Sequence, residues 1–158
     1  MTDDLQRKVL AYLREHHVMT LATQGRDGPW AAAVFYVNDG FTLYFLSAPT
    51  ARHCGDLAAN PRVAATIQQD YSDWPQIRGV QLEGIARQVA DDEIPRVRSL
   101  YGQKYPVVGA ARQAPAAIAN ALAKVRWYRL TPNRLFLVDN SVGFGHRDEV
   151  PSAILGPG

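Results

Sequence analysis

The sequence predicts a mainly β protein, a small antiparallel barrel with helices inserted between its strands. Three observations carry that expectation. Period-two alternation begins at Val18 and returns in several short stretches; Gly-centred hairpin turns, Gly25-Arg26-Asp27-Gly28 and Asn38-Asp39-Gly40, separate the first of them. Helical periodicity appears at the N-terminus, after Thr50 and between Asp91 and Lys124. At 158 residues, with no repeat or low-complexity tract, residues 1–158 are expected to form one domain with one core.

Composition narrows the function classes. The chain is 47% hydrophobic and 20% charged, so a folded core is affordable and disorder is not expected. A net charge of only +2, spread along the chain, gives no nucleic-acid footprint. The single cysteine, Cys54, excludes an internal disulfide and a cysteine zinc cage. Its setting beside Leu57 and Ala58 reads as a small buried residue, with a nucleophilic role beside His53 as the alternative. Asp3 and Asp4 stand where a signal peptide would be basic, and no apolar run reaches the ~20 residues of a membrane span. A cytoplasmic protein without a membrane partner is expected.

Along the chain, Thr2 caps a helix over residues 1–17 that places Leu5, Val9, Tyr12 and Leu13 on one face. The pair His16 and His17 closes it, where imidazoles suit the negative helix end better than a metal. Three strands follow, Val18–Thr23, Pro29–Val37 and Phe41–Ser47. The second puts Trp30, Ala32, Val34 and Tyr36 on one face and Ala31, Ala33, Phe35 and Val37 on the other, so both faces need cover. The small alanines admit either a flat ligand or a close-packed helix. A short helix, Ala51–Ala59, leads to a strand over Arg62–Gln69 and another over Ile77–Val89, on which Gln81 faces out as a ring-binding donor and acceptor or as a solvated strand residue. Residues 91–124 form a helical insertion. Val125–Leu130 and Leu135–Val138 complete seven strands around a turn at Thr131-Pro132-Asn133, and residues 140–158 form a C-terminal arm that packs on the barrel or on a second subunit.

The functional centre of the sequence is Leu43 to Pro61. A strand ends in Ser47, a helix starts a few residues later, and Thr50, Arg52 and His53 cluster at the junction. Hydroxyls, a guanidinium and a helix N-terminus together make an anion grip, most simply for a phosphate.

The order of segments Met19–Thr23 (MTLAT), Pro29–Val37 (PWAAAVFYV), Phe41–Ile67 (FTLYFLSAPTARHCGDLAANPRVAATI) and Arg78–Ala86 (RGVQLEGIA) resembles the pyridoxamine 5'-phosphate oxidase-like family of FMN-binding split barrels over roughly residues 5 to 139. The resemblance implies a Greek-key-like antiparallel split barrel, a homodimer and FMN at the subunit interface. It places the FMN phosphate on Ser47, Thr50, Arg52 and His53, with His53 standing where many relatives carry Lys. It lays the ribityl chain and ring along the backbone of Ala32, Ala33 and Val34, and brings Gln81 and Trp127 to the ring. The oxidases usually carry Gln at the position of Gly79, so Gln81 is displaced by about 7 Å along the same face. Asp73-Trp74-Pro75 and the tail Gly143–Glu149 (GFGHRDE) are similar to a bacterial subgroup of uncharacterised split barrels, and no vitamin B6 oxidase signature is present.

A flavin oxidoreductase acting on NAD(P)H or another small reduced substrate is therefore expected, with no catalytic residue or metal assigned. The alternatives are a non-catalytic protein that stores or senses FMN or haem, with His146 as an axial ligand, and an F420-dependent reductase on the same barrel.

Overall fold

The computed structural model describes residues 2–110 and 115–156. Its frame is one antiparallel sheet of seven strands: β1 (Val18–Gly25), β2 (Gly28–Asp39), β3 (Thr42–Ser47), β4 (Arg62–Ile67), β5 (Arg78–Gln88), β6 (Arg126–Asp139) and β7 (Arg147–Val150). The spatial order is β3-β2-β1-β4-β5-β6-β7, and β3 also pairs with β6. That last pairing closes six strands into a barrel. Closure is possible because β6 is long: on one edge it gives Arg126–Leu130 to β3 and Leu135–Val138 to β7, while β5 runs along the other.

The sequence reading split β6 into two strands at Thr131-Pro132-Asn133, and the structure corrects it. The chain runs straight through, with Pro132 opposite Gly84 at a register shift between Glu83 and Gly84. A proline is accepted at such an irregularity because the ladder bond it cannot donate is already missing. Only glycine fits opposite, since a β-carbon on Gly84 would lie 2.3 Å from the Thr131 carbonyl oxygen.

Inside the barrel, the row Ala32–Leu21–Ala65–Leu82–Leu135 crosses five strands in register. Leu21, Leu43, Leu130 and Leu135 are fully buried, and each such side chain contributes about 1.5–3 kcal/mol. Helix α1 (Thr2–Glu15) packs across β2, β5 and β7, burying Val9, Tyr12 and Leu13. The Tyr36 hydroxyl donates to the Leu13 carbonyl at 2.7 Å, tying the helix end to β2. Helix α2 (Arg52–Ala59) packs against β1, β2 and β5 through Cys54, Asp56 and Leu57.

The inserted helices differ in what they cover. Helix α3 (Ile94–Lys104) lies outside the barrel, where Val97 and Tyr101 build a second core with Val37, Tyr44, Val89 and Trp127. The short α4 (Pro106–Gly109) and α5 (Ala116–Lys124) bury none of their described residues. The tail adds β7 to the sheet edge and sends Val150 and Leu155 into the main core.

Candidate functional site

The site is built where β3 hands over to α2. Ser47 ends the strand, a tight turn follows with the Ala51 N–H on the Ala48 carbonyl at 3.0 Å, and α2 begins at Arg52. Its N-cap, Ala51, has no side chain to satisfy the first helical N–H groups. The helix thus presents free donors and a partial positive charge. A groove of about 580 Å³ lies alongside, lined by Arg26 and Asp27 of the β1–β2 turn and by Thr50, Arg52, Gly55 and Asp56.

Arg52 spans this groove. Its guanidinium lies 4.3 Å from the Trp30 ring centroid, donates to the Asp27 carbonyl at 3.3 Å and comes within 3.9 Å of the Asp56 carboxylate. Asp56 is itself fixed from below, because it is buried and accepts from the Thr23 hydroxyl at 2.8 Å. Gly25 permits that arrangement, since a β-carbon there would meet Asp56 Oδ1 at 1.9 Å.

Of the four residues expected to grip an anion, the structure brings Thr50 and Arg52 to the groove and turns Ser47 and His53 inward. Ser47 and His53 are only 6% and 8% exposed, and Ser47 Oγ lies 2.6 Å from His53 Nε2. The reason is helical phase: His53 falls on the buried face of α2 with Cys54, Asp56 and Leu57. Burial lowers the His53 pKa below its ordinary value, against a smaller opposing pull from Asp56. The imidazole is therefore neutral near pH 7 and shares one proton with the Ser47 hydroxyl across the Nε2–Oγ contact.

The second component is the outer face of the sheet. Ala31 pairs with Ala22 and Ala22 with Ala64, while Ala33 pairs with Thr20 and Thr20 with Thr66, giving a flat field of small side chains over three strands. Phe35 borders it, 55% exposed, while Trp30, 44% exposed, stands on the other strand face with its register partner Thr23. Of the expected ring contacts on β2, Ala33 points outward, whereas Val34 is buried in the main core and Ala32 lies in its inward row. Alternate parity places them so, and only their backbone borders the outer face. Gln81 stands on the same outer row as Ala33, three strands away and thus roughly 14 Å off, and it accepts from Arg147 at 3.3 Å.

Trp127, expected at the ring, is 5% exposed beneath α3, edge-on to Tyr101 with 5.4 Å between centroids. Val37 is covered by the same helix, so the doubly apolar β2 is helix-covered at one end and open at the other. Cys54 is buried with its thiol on the Ala48 carbonyl, as its neighbours suggested. His16 bonds Tyr12 and Gln69, and no group of three potential metal ligands occurs among the described residues. His146 is half-buried with Nε2 on Asp148 at 2.9 Å.

Nothing local in the sequence marks Trp30 as the lid on Arg52, which lies 22 residues further on in another element. Sequence reasoning also missed the Thr23–Asp56 pair, whose 33-residue separation leaves no local signal.

The family model described as pyridoxamine 5'-phosphate oxidase matches residues 5–139. The chain belongs to the pyridoxamine 5'-phosphate oxidase-like family. Its relatives include a UPF0306 protein of Klebsiella pneumoniae, 31% identical over 138 residues that cover 86% of each chain. A UPF0306 protein of Photorhabdus laumondii is 29% identical, covering 86% of this chain and 88% of its own. Among solved structures, a heme binding protein of Mycobacterium smegmatis superposes with a TM-score of 0.72 at 24% identity; the match covers 98% of this chain but spans only 60% of that one. The heme storage protein HutZ of Vibrio cholerae gives 0.67 at 21%, covering 84% and 93%. These likenesses establish the split-barrel fold for this member of the pyridoxamine 5'-phosphate oxidase-like family. The open end of β2 and the α2 groove lie within its family-matched region.

Proposed function

We propose that the chain binds FMN between two copies of itself and serves as a flavin-dependent oxidoreductase, moving a hydride between NAD(P)H or a small reduced substrate and an acceptor. The observation that carries this reading is an uncapped helix N-terminus with Arg52 and Thr50 on a groove, where Arg52 stacks on Trp30 of β2, the strand that also carries the exposed Ala31 and Ala33. A flavin nucleotide needs both an anion grip and a planar apolar platform. The donor set fits, since Arg52 supplies a charge-assisted pair, Thr50 a hydroxyl and α2 its free N–H groups.

In this reading Thr50 and Arg52 hold the phosphate. Ala31 and Ala33 admit the ring against the β2 backbone, and a second copy covers the face and excludes water from it. FMN supplies the hydride acceptor chemistry when bound. Trp30 restricts Arg52 to one side of the groove, so the guanidinium is preorganised for the anion.

Haem binding without catalysis is the second reading. It draws on His146, held by Asp148, and on two fold neighbours named for heme. Purified protein should be reconstituted with FMN, haem and F420 in turn and its visible spectrum recorded. Two flavin bands at one FMN per chain, followed by bleaching with NAD(P)H and recovery with an acceptor, support the proposal. A Soret band lost in His146→Ala supports the second reading, and uptake of F420 but not FMN moves the chemistry to the deazaflavin. Protein that retains none of the three would overturn both readings.

A further inference from the structure

We propose that Ser47 and His53 form a proton-accepting element beneath the anion groove, so that a phosphate bound at the N-terminus of α2 is taken up together with one proton. This rests on the reading that the groove holds the FMN phosphate, and it assigns that site its regulation. The geometry is specific. His53 follows Arg52 directly in α2, and its Nε2 meets the hydroxyl of the last residue of β3 at 2.6 Å in a buried setting.

In the neutral pair one proton lies between Nε2 and Ser47 Oγ, and the pair offers an approaching anion no charge. Addition of one proton from solvent to His53 leaves both ring nitrogens protonated: Nε2–H donates to Ser47 Oγ, the Ser47 hydroxyl proton is not held by Nε2, and a positive charge appears next to Arg52 in α2. No covalent bond other than the new N–H is made or broken.

The surroundings set the direction of the switch. Asp56 on α2 is the acidic group facing His53 and favours its protonated form, but Thr23 and Arg52 already share that carboxylate. Two cations neighbour His53 by position, Arg52 on α2 and Arg126, the β6 register partner of Ser47. Tyr128 on β6, next to Cys54, brings no charge near neutrality. Burial therefore keeps the empty pair neutral, and an arriving dianion supplies the compensation that is missing. By linkage, each tenfold gain in phosphate affinity on protonation equals one unit of upward shift in the His53 pKa.

The test is isothermal titration of the full-length protein with FMN near pH 7, in buffers of differing ionisation heat, with riboflavin as the ligand lacking phosphate. The expected result is net uptake of a proton with FMN, none with riboflavin and none in His53→Gln. The sign discriminates, because phosphate titrates near 6 and a purely cationic site would make FMN release protons. An NMR titration of the wild-type His53 imidazole, which needs no variant, should show its pKa raised by about one unit or more by FMN. Proton release, zero uptake, equal uptake with riboflavin or an unmoved His53 resonance would each sink the idea while leaving FMN binding intact. Failure of FMN to bind removes both this inference and the reading beneath it.

Discussion

Thr23→Val tests whether the site is held by the barrel or only rests on it. The substitution keeps shape and deletes one donor from the buried Asp56 carboxylate, which Thr23 meets at 2.8 Å. Thr23 is 3% exposed, so no water replaces its hydroxyl freely. A hydrogen bond to a charged group is worth about 1.5–3 kcal/mol. Arg52 offsets little of the loss, since it lies at 3.9 Å and its side chain is 36% exposed, where screening weakens it. The expected cost is thus about 1.5–3 kcal/mol, which for a chain of this size lowers Tm by roughly 3–12 °C. Urea unfolding should show a lower midpoint with unchanged m, and Thr23→Ser should recover most of the difference. A Thr23→Val midpoint shift equivalent to less than about 0.5 kcal/mol would mean that the pair does not anchor α2, and the account of how Arg52 is aimed would fall with it.

Three further outcomes are expected. Gly84→Ala should cost at least about 3 kcal/mol in urea unfolding, because its new β-carbon meets backbone at 2.3 Å, whereas Gly55→Ala in α2 meets nothing within 4 Å and should gain up to about 1 kcal/mol; equal effects would refute the bulge argument. Arg52→Ala should weaken FMN binding about tenfold or more by flavin fluorescence titration, with Arg52→Lys intermediate, and an unchanged Kd would place the phosphate elsewhere. Lys104 bonds the Leu13 and His16 carbonyls at the end of α1, and burial lowers its pKa to about 8. The folded state then binds fewer protons than the unfolded state above about pH 8, so this group raises stability from there to about pH 9.5, before tyrosine ionisation intervenes; the rise should flatten in Lys104→Met, and a rise of equal slope there would refute the assignment.

Much of the frame was legible because local signals agree with the tertiary solution. The Gly25–Gly28 and Asn38–Gly40 turns fixed the first hairpins, and the period of α1 named Val9, Tyr12 and Leu13 as its buried face. The two-faced apolarity of β2 was also readable. What was not readable is which cover lies where: Val37 goes under α3 while Ala31 and Ala33 stay open, and that division depends on a helix some sixty residues away. The break placed at Pro132 failed for a similar reason, since the residue that tolerates it, Gly84, is on another strand.

The anion grip shows the same limit in sharper form. From the sequence, Ser47, Thr50, Arg52 and His53 are four polar residues within seven positions, and nothing local separates those that face out from those that face in. The separation comes from α2 docking on the barrel by Cys54, Asp56 and Leu57, which drags His53 inward and leaves Arg52 on the rim. Ser47, as the last inward position of β3, then becomes the nearest partner for the buried imidazole. A basic side chain long enough to escape this burial would have joined Arg52 at the groove. A histidine cannot, so in the proposed reading its contribution to a bound phosphate passes through Ser47 and a proton, and His53 is the residue on which that reading is most directly tested.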